Sequence, residues 1–231
     1  MEYDLTKLLT PIETDFTLVR FGRKMDGGYI MPLELCKMCD HVLSFGIADD
    51  ISFEHDFRKY NENAYIECYD GSIDALPDNN NNFVFHNKFI GPMETDTYDD
   101  INKLNINAFT CVKMDIEGAE YTCLNVLTDD KFAAIPILVM ELHLSPDITP
   151  DRNVNDLILL LNRIEQYMFP IHVHMNNSWH NNFAYMGNIF CRSIEVTFIN
   201  NIYRKVKYPI KDLDYPVLPW IQDCGLSWIK K

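Results

Sequence analysis

The stretch His41-Val42-Leu43-Ser44-Phe45-Gly46-Ile47-Ala48-Asp49-Asp50-Ile51-Ser52-Phe53-Glu54 reads as a short apolar strand, a glycine turn and the start of a helix. The same alternation continues along the chain. Further strands are predicted over Ala64–Tyr69, Asn82–Asn87, Phe109–Met114, Ile137–Leu142, Pro170–His174 and Ile194–Ile199, several of them β-branched or aromatic and bounded by Gly, Asp, Asn or Pro. Helices are predicted over Ser52–Lys59, Asp99–Leu104, Gly118–Leu127 and Val154–Met168. In the last, Val154, Leu157, Ile158, Leu161, Ile164 and Met168 recur at three- and four-residue spacing and so share one face. Strands separated by helices imply an α/β fold: a mostly parallel sheet, here seven-stranded, with helices on both faces. Such sheets bind ligands beyond the carboxyl ends of their strands, so the residues at those ends decide the chemistry.

Composition narrows the field. The 231 residues are 47% hydrophobic and 23% charged, ordinary for one globular domain: a cap over residues 1–40, a core sheet over 41–200 and an extension over 201–231. The chain carries 20 Lys and Arg against 34 Asp and Glu, a net charge of −14, which repels phosphate backbones and anionic lipid. No nucleic-acid partner is expected, and Tyr203-Arg204-Lys205-Val206-Lys207 is the one basic cluster. No apolar run is long enough for a membrane span, and Met1-Glu2-Tyr3-Asp4 does not begin a secretory signal. The cysteine count of 7 is odd for a disulfide framework, so a reducing, cytoplasmic setting is expected. Cys36 and Cys39 form a CxxC without a second zinc pair, which favours packing over metal.

Polar residues gather at the strand ends. Gly46, in Ser44-Phe45-Gly46-Ile47-Ala48-Asp49-Asp50, allows either close ligand approach or a simple tight turn. Ala48 and Ile51 occupy the places where a dinucleotide fingerprint needs glycine, so a diphosphate clamp is poorly supported. Asp70-Gly71 ends the second strand at about the twenty-residue spacing expected of a ribose-binding acid, although an Asp-Gly turn is common in its own right. Asp115 and Glu117 share a side of an extended segment and suit a cation, a hydroxyl or a shared proton; Glu120 opens the next helix, where capping explains it. Glu141 and His143 share a side of the fifth strand, and His172 and His174 end the next.

Four segments together resemble the FkbM-type methyltransferases, in particular a branch with an Arg-x-Gly…Asp-Gly-Gly-Tyr signature. They are Arg20-Phe21-Gly22 through Asp26-Gly27-Gly28-Tyr29, Ser44 through Glu54, Val112-Lys113-Met114-Asp115-Ile116-Glu117-Gly118-Ala119-Glu120, and Leu138-Val139-Met140-Glu141-Leu142-His143. Weaker likenesses follow in His174-Met175-Asn176-Asn177, Glu195-Val196-Thr197-Phe198 and Asp212-Leu213-Asp214-Tyr215-Pro216. The resemblance implies a class I methyltransferase (Rossmann-like) fold, S-adenosylmethionine (SAM) as donor, and O-methylation of a sugar or other small hydroxyl compound. Phe45, Gly46 and Gly71 would then line the cofactor, Asp70 would take the ribose hydroxyls, and Asp115 would lie near the sulfonium. Ser44 replaces the acid usual before the glycine turn, so Asp49 or Glu54 would hold the methionine amino group. Arg20 and Gly28 would bring the N-terminal turn over the cofactor.

For the transfer itself, His143 or His174 is expected as general base, with Asp115 and Glu141 beside them. The alternative is a divalent metal on Asp115, Glu141 and His143 that lowers the hydroxyl pKa. The acceptor is expected to be a small molecule, sugar nucleotide or glycan precursor, and Trp179, His180, Phe183 and Tyr185 suit either its wall or the core or an interface; a homodimer is a further expectation. Two rivals remain: a nicotinamide-dependent sugar oxidoreductase or epimerase, and a non-catalytic binding or assembly module. The first lacks its glycines, and Ala64 and Asn125 stand where a Lys would have to follow Tyr60 and Tyr121 in its Tyr-x-x-x-Lys pair.

Overall fold

The computed structural model describes residues 4–78, 82–144, 150–177 and 182–204. Its centre is a seven-stranded sheet of β1 (His41–Phe45), β2 (Tyr65–Tyr69), β3 (Val84–His86), β4 (Thr110–Met114), β5 (Ile137–His143), β6 (Met168–Asn176) and β7 (Ser193–Asn200). The spatial order is β3-β2-β1-β4-β5-β7-β6. All neighbouring pairs are parallel except those made by β7, which runs antiparallel to both β5 and β6. The order reverses between β1 and β4, and that switch point is where an open α/β sheet leaves a crevice for ligand. A doubly wound sheet with one antiparallel strand set between the fifth and sixth is the class I methyltransferase arrangement.

Alternation along the strands sends residues into two cores. Leu43, Phe45, Val112, Met114, Leu138, Met140 and Leu142 join one, with α1 (Leu5–Leu8), α4 (Glu120–Val126), α5 (Asp129–Ala134) and α6 (Pro150–Glu165) packed over it. Val42, Cys111, Ile137 and Val139 join the other, under α2 (Leu33–Met38) and α3 (Ser52–Tyr60). An antiparallel hairpin, Leu18–Phe21 with Tyr29–Pro32, completes this second layer. Phe21 stacks on Tyr60 at 5.0 Å and Tyr29 meets Phe53 edge-on, which fixes the hairpin turn above the ends of β1 and β4.

The seven strands form where their sequences predict, with the small scatter at their ends that is usual for element boundaries. Two helices differ. The helix predicted over Asp99–Leu104 is instead a strand, Tyr98–Asp100, paired in parallel with Phe89–Gly91, followed by a 3-10 turn at Ile101–Lys103. The Asp100 carboxylate accepts from the Asn102 N–H at 2.9 Å and caps that turn, satisfying its backbone locally. The helix predicted to reach Met168 stops at Glu165, because Met168 already pairs with Asn200 as the first residue of β6. No described helix is long and apolar enough to cross a membrane. The six described cysteines, Cys36 and Cys39 among them, are buried free thiols.

Candidate active site

A cavity of about 390 Å³ lies at the switch point, within the size range of small-ligand sites. The turn after β1, the residues after β2 and the residues after β4 line it, so Gly46, Asp70 and Asp115 converge on one hollow. Phe89, Ile90 and Ile116 supply apolar wall; Arg23, Asp26 and Gly27 of the hairpin turn close another side.

Gly46 has φ +81°, and a Cβ there would lie 1.7 Å from the Asp115 carbonyl oxygen. Its missing side chain therefore lets β1 and β4 end against each other, the tight-turn reading, and the residue also lines the cavity. Lys113, 5% exposed, donates from Nζ to the Gly46 carbonyl at 2.5 Å and lines the same cavity. Ala48 also adopts a positive φ, +47°, a conformation that costs a non-glycine residue energy and tends to persist at functional sites.

Asp70 holds this turn. One carboxylate oxygen accepts from the Ile47 and Ala48 N–H groups at 2.9 and 2.8 Å; the other accepts from the Ser72 N–H and hydroxyl at 2.7 and 2.6 Å. Burial pushes its pKa up, but the Ala48 and Ser72 hydrogen bonds and that from Ile47 outweigh burial, and the net shift is downward. Asp70 is thus an ionised anchor whose four principal acceptor positions are filled from within the chain.

Several expected cofactor residues play other parts. The Phe45 side chain is core, packed on Tyr69 with ring centroids 5.5 Å apart. Gly71 does not line the cavity; the Phe89 ring lies where its Cβ would be. Arg20 donates to the Arg23 carbonyl at 2.9 Å and to that of Met25 at 2.8 Å, and Gly28 leaves room for this clasp. Both shape the hairpin turn, and it is Arg23, Asp26 and Gly27 that reach the cavity. Glu54 is fully buried, accepts from the Ser44 hydroxyl, and leaves Oε2 without a partner among the described residues. It thus brings a carboxylate to Ser44, where the usual acid is missing, but from behind the cavity wall. Asp49 lines the cavity rim, its side chain 89% exposed and 4.0 Å from Arg23, and Asp50 pairs with Arg23 at 3.3 Å.

At the Asp115 end stands His143. Its Nδ1 lies 3.1 Å from Oε1 of Glu120, which is 0% exposed. Glu120 Oε1 also accepts from the Ile116 N–H at 2.9 Å, so Glu120 orients both the imidazole and the turn, a role beyond the capping expected of it. Burial alone would lower the His143 pKa, but the Glu120 hydrogen bond and the charges of Glu141, Glu120 and Asp115 prevail and raise it to about 10. Without a bound cation this shift favours the charged imidazole near neutral pH, the form that has no lone pair to take a proton. Glu141 is pushed the other way from a free carboxylate: burial and the nearby Asp115 charge raise its pKa well above 4.5. His174, 5% exposed, lies 3.1 Å from Glu195 and does not line the cavity. Tyr29 reaches down from the hairpin and donates to Asp115 Oδ2 at 2.8 Å; burial, then the charges of Asp115, Glu141 and Glu195, keep it protonated.

A raised histidine pKa stabilises the fold fully below about 6.5 and loses that contribution as pH climbs towards 10. Melting curves of the metal-free protein from pH 6 to 10 are expected to fall less steeply for His143→Gln than for the wild type. Parallel curves would contradict the charged imidazole.

Of the residues expected to form an acceptor wall, Phe183 is core, stacked on Phe190, and Tyr185 packs against the same ring. Trp179 and His180 lie outside the described residues, as do Lys205, Lys207 and the 205–231 extension, including the Asp212–Pro216 likeness. Sequence reading missed Arg23, Ser72, Phe89 and Lys113 as lining residues. Asp26 lay in the Asp-Gly-Gly-Tyr turn expected over the cofactor, and Lys113 had a local signal in its Lys-x-Asp-x-Glu-Gly segment.

No curated protein sequence matches the chain. Among solved structures it is similar to the N-methyltransferase NodS from Bradyrhizobium japonicum WM9, at 10% identity over 73% of this chain and 90% of that one, with a TM-score of 0.39. It is also similar to the 16S rRNA methyltransferase KamB, at 12% identity over 79% and 100% of the two chains, with a TM-score of 0.35. The methyltransferase FkbM domain family matches residues 11–174, a span that takes in the hairpin, the glycine turn and every carboxylate around His143. The chain belongs to the FkbM methyltransferase family and is a SAM-dependent methyltransferase.

Proposed function

We propose that this enzyme methylates a hydroxyl oxygen of a small acceptor, with a sugar or glycan precursor as the favoured class. The observation that carries the reading is the convergence of Gly46, Asp70 and Asp115 on one cavity whose far end meets the His143 carboxylates. The residues present fit SAM. Apolar Phe89, Ile90 and Ile116 suit a purine, Arg23 and Lys113 suit a carboxylate, and Asp26, Asp49 and Asp50 suit an ammonium and a sulfonium. When bound, SAM supplies a methyl group on a positively charged sulfur leaving group.

The chain's part is placement. Ideal orientation of two reactants is worth about 7–11 kcal/mol. Tyr29 fixes Asp115 through Oδ2, and Oδ1 accepts no hydrogen bond among the described residues, so it is the oxygen that takes an acceptor's O–H and aims its lone pair. The carboxylate cluster around Asp115 would take the proton that the acceptor hydroxyl gives up in the transfer. The overall charge of −14 disfavours an RNA or other phosphate-rich acceptor.

The test is release of S-adenosylhomocysteine from SAM in the presence of monosaccharides, sugar nucleotides and a structured RNA in separate assays. Product with a sugar-class acceptor is expected, and Asp115→Asn is expected to lower turnover about 100-fold while SAM affinity stays within a few-fold. Transfer to RNA alone, or full activity of Asp115→Asn, overturns the reading.

A further inference from the structure

We propose that Asp115, Glu117 and His143 form a binding site for a divalent cation of the Mn²⁺ class at the acceptor end of the cavity. Their ligand atoms all lie within 4.8 Å of one another. His143 Nε2 stands 3.6 Å from Glu117 Oε2, 3.9 Å from Asp115 Oδ1 and 3.9 Å from Glu141 Oε2. These separations are too long for hydrogen bonds, which close to about 2.7–3.2 Å. They are also somewhat longer than the edges of a coordination shell whose metal–ligand bonds are about 2.0–2.3 Å, so the side chains would draw together by a few tenths of an ångström around a bound ion.

The second observation is Glu141. It is 5% exposed, its Oε1 accepts from Asn176 at 2.8 Å, and its Oε2 accepts no hydrogen bond among the described residues while facing Nε2. That oxygen keeps some contact with solvent, so it stays open to an incoming cation. Asp115 repeats the pattern, with Oδ2 engaged by Tyr29 and Oδ1 facing the same nitrogen. Glu117 is swung into place by a φ of +55°, and its side chain is 85% exposed at the mouth of the group. Nδ1 is already engaged by buried Glu120, the carboxylate–histidine support that orients metal-binding imidazoles through the other nitrogen.

The compact set therefore contains Glu117, where the sequence had pointed to Glu141; Glu141 stands by as a fourth, flanking oxygen. One imidazole with carboxylates suits Mn²⁺ or a similar ion better than Mg²⁺ or Ca²⁺, which prefer all-oxygen shells. Its chemical role rests on the transfer reading above: bound there, the cation would hold the acceptor oxygen in place of the Asp115 hydrogen bond and lower the hydroxyl pKa, with the released proton still passing to the surrounding carboxylates.

The experiment is titration of Mn²⁺ alone into chelator-stripped, full-length enzyme, following free Mn²⁺ by electron paramagnetic resonance. One Mn²⁺ per chain is expected. Glu117→Gln, whose exposed side chain is not needed for folding, is expected to weaken binding about tenfold or more, and His143→Gln similarly. No stoichiometric Mn²⁺, or unchanged affinity in Glu117→Gln, overturns the site. S-adenosylhomocysteine binding measured on the same samples separates the two readings. Intact nucleoside binding without Mn²⁺ sinks the cation site alone, whereas absent nucleoside binding sinks the transfer reading.

Discussion

Gly46→Ala is expected to lower the melting temperature by about 10 °C and to abolish measurable S-adenosylhomocysteine binding. A methyl group at this position would stand 1.7 Å from the Asp115 carbonyl oxygen and 2.7 Å from its carbon, inside any real contact distance. Neither side can yield cheaply. The Asp115 N–H donates to the Phe45 carbonyl at 2.9 Å, the Gly46 N–H donates to that of Tyr69 at 3.0 Å, and Lys113 grips the Gly46 carbonyl. The φ of +81° adds strain for any residue with a Cβ, roughly 1–2 kcal/mol. Overpacking adds roughly 1–3 kcal/mol more, against a total stability of only about 5–15 kcal/mol. Relief of the clash must separate the ends of β1 and β4, which are two walls of the cavity. Calorimetric melting and nucleoside titration check the two effects together. A variant that melts within about 2 °C of wild type and binds normally would show that this junction is not what shapes the site.

Asp70→Ala is the second large effect, and it acts differently. It removes the acceptor for four hydrogen bonds and leaves the Ile47 and Ala48 N–H groups unpaired in the wall of the cavity. Hydrogen bonds to a charged group are worth about 1.5–3 kcal/mol each, and part of that loss is recovered by water entering the open cavity. Affinity for SAM is expected to fall about 100-fold, with a larger change in KM than in kcat, because the reacting end at Asp115 is untouched. Asp70→Asn is expected to lose nearly as much, since an amide keeps one acceptor oxygen where two are needed. Affinity within about threefold of wild type in both variants would mean that the turn holds its shape without this anchor.

The two arguments show what was legible in the residues and what was not. The strands were plain because a sheet covered on both faces demands runs such as His41–Phe45 and Ile137–Leu142, and the runs survive any detail of packing. Gly46, Asp70 and Asp115 were legible as a group because the ends of adjacent parallel strands must lie together. Their individual roles were not. Each left two readings open, and the structure shows Gly46 packing a backbone crossing and Asp70 holding a loop while both line the cavity, because such roles depend on which atom approaches from another strand. Glu117 was placed beside Asp115 by strand alternation, yet it arrives through a left-handed turn after the strand has ended at Met114. Glu120 looked like a helix cap until His143, from the next strand, met it. Arg20 and Gly28 carried the signature, while their neighbours Arg23 and Asp26 reach the cavity; a hairpin turn presents residues by its conformation, which no periodicity records. The Asp99–Leu104 segment shows the reverse error: the expected helix gives way to a strand paired with Phe89–Gly91 and a 3-10 turn capped by Asp100.

The most direct test of the central claim is a crystal structure of the enzyme with S-adenosylhomocysteine. The nucleoside is expected to lie in the cavity between the Gly46–Asp50 turn, Asp70 and Phe89, with its sulfur directed at Asp115 and the His143 carboxylates. A nucleoside bound elsewhere, or a cavity closed by its own side chains with the ligand excluded, would contradict the account.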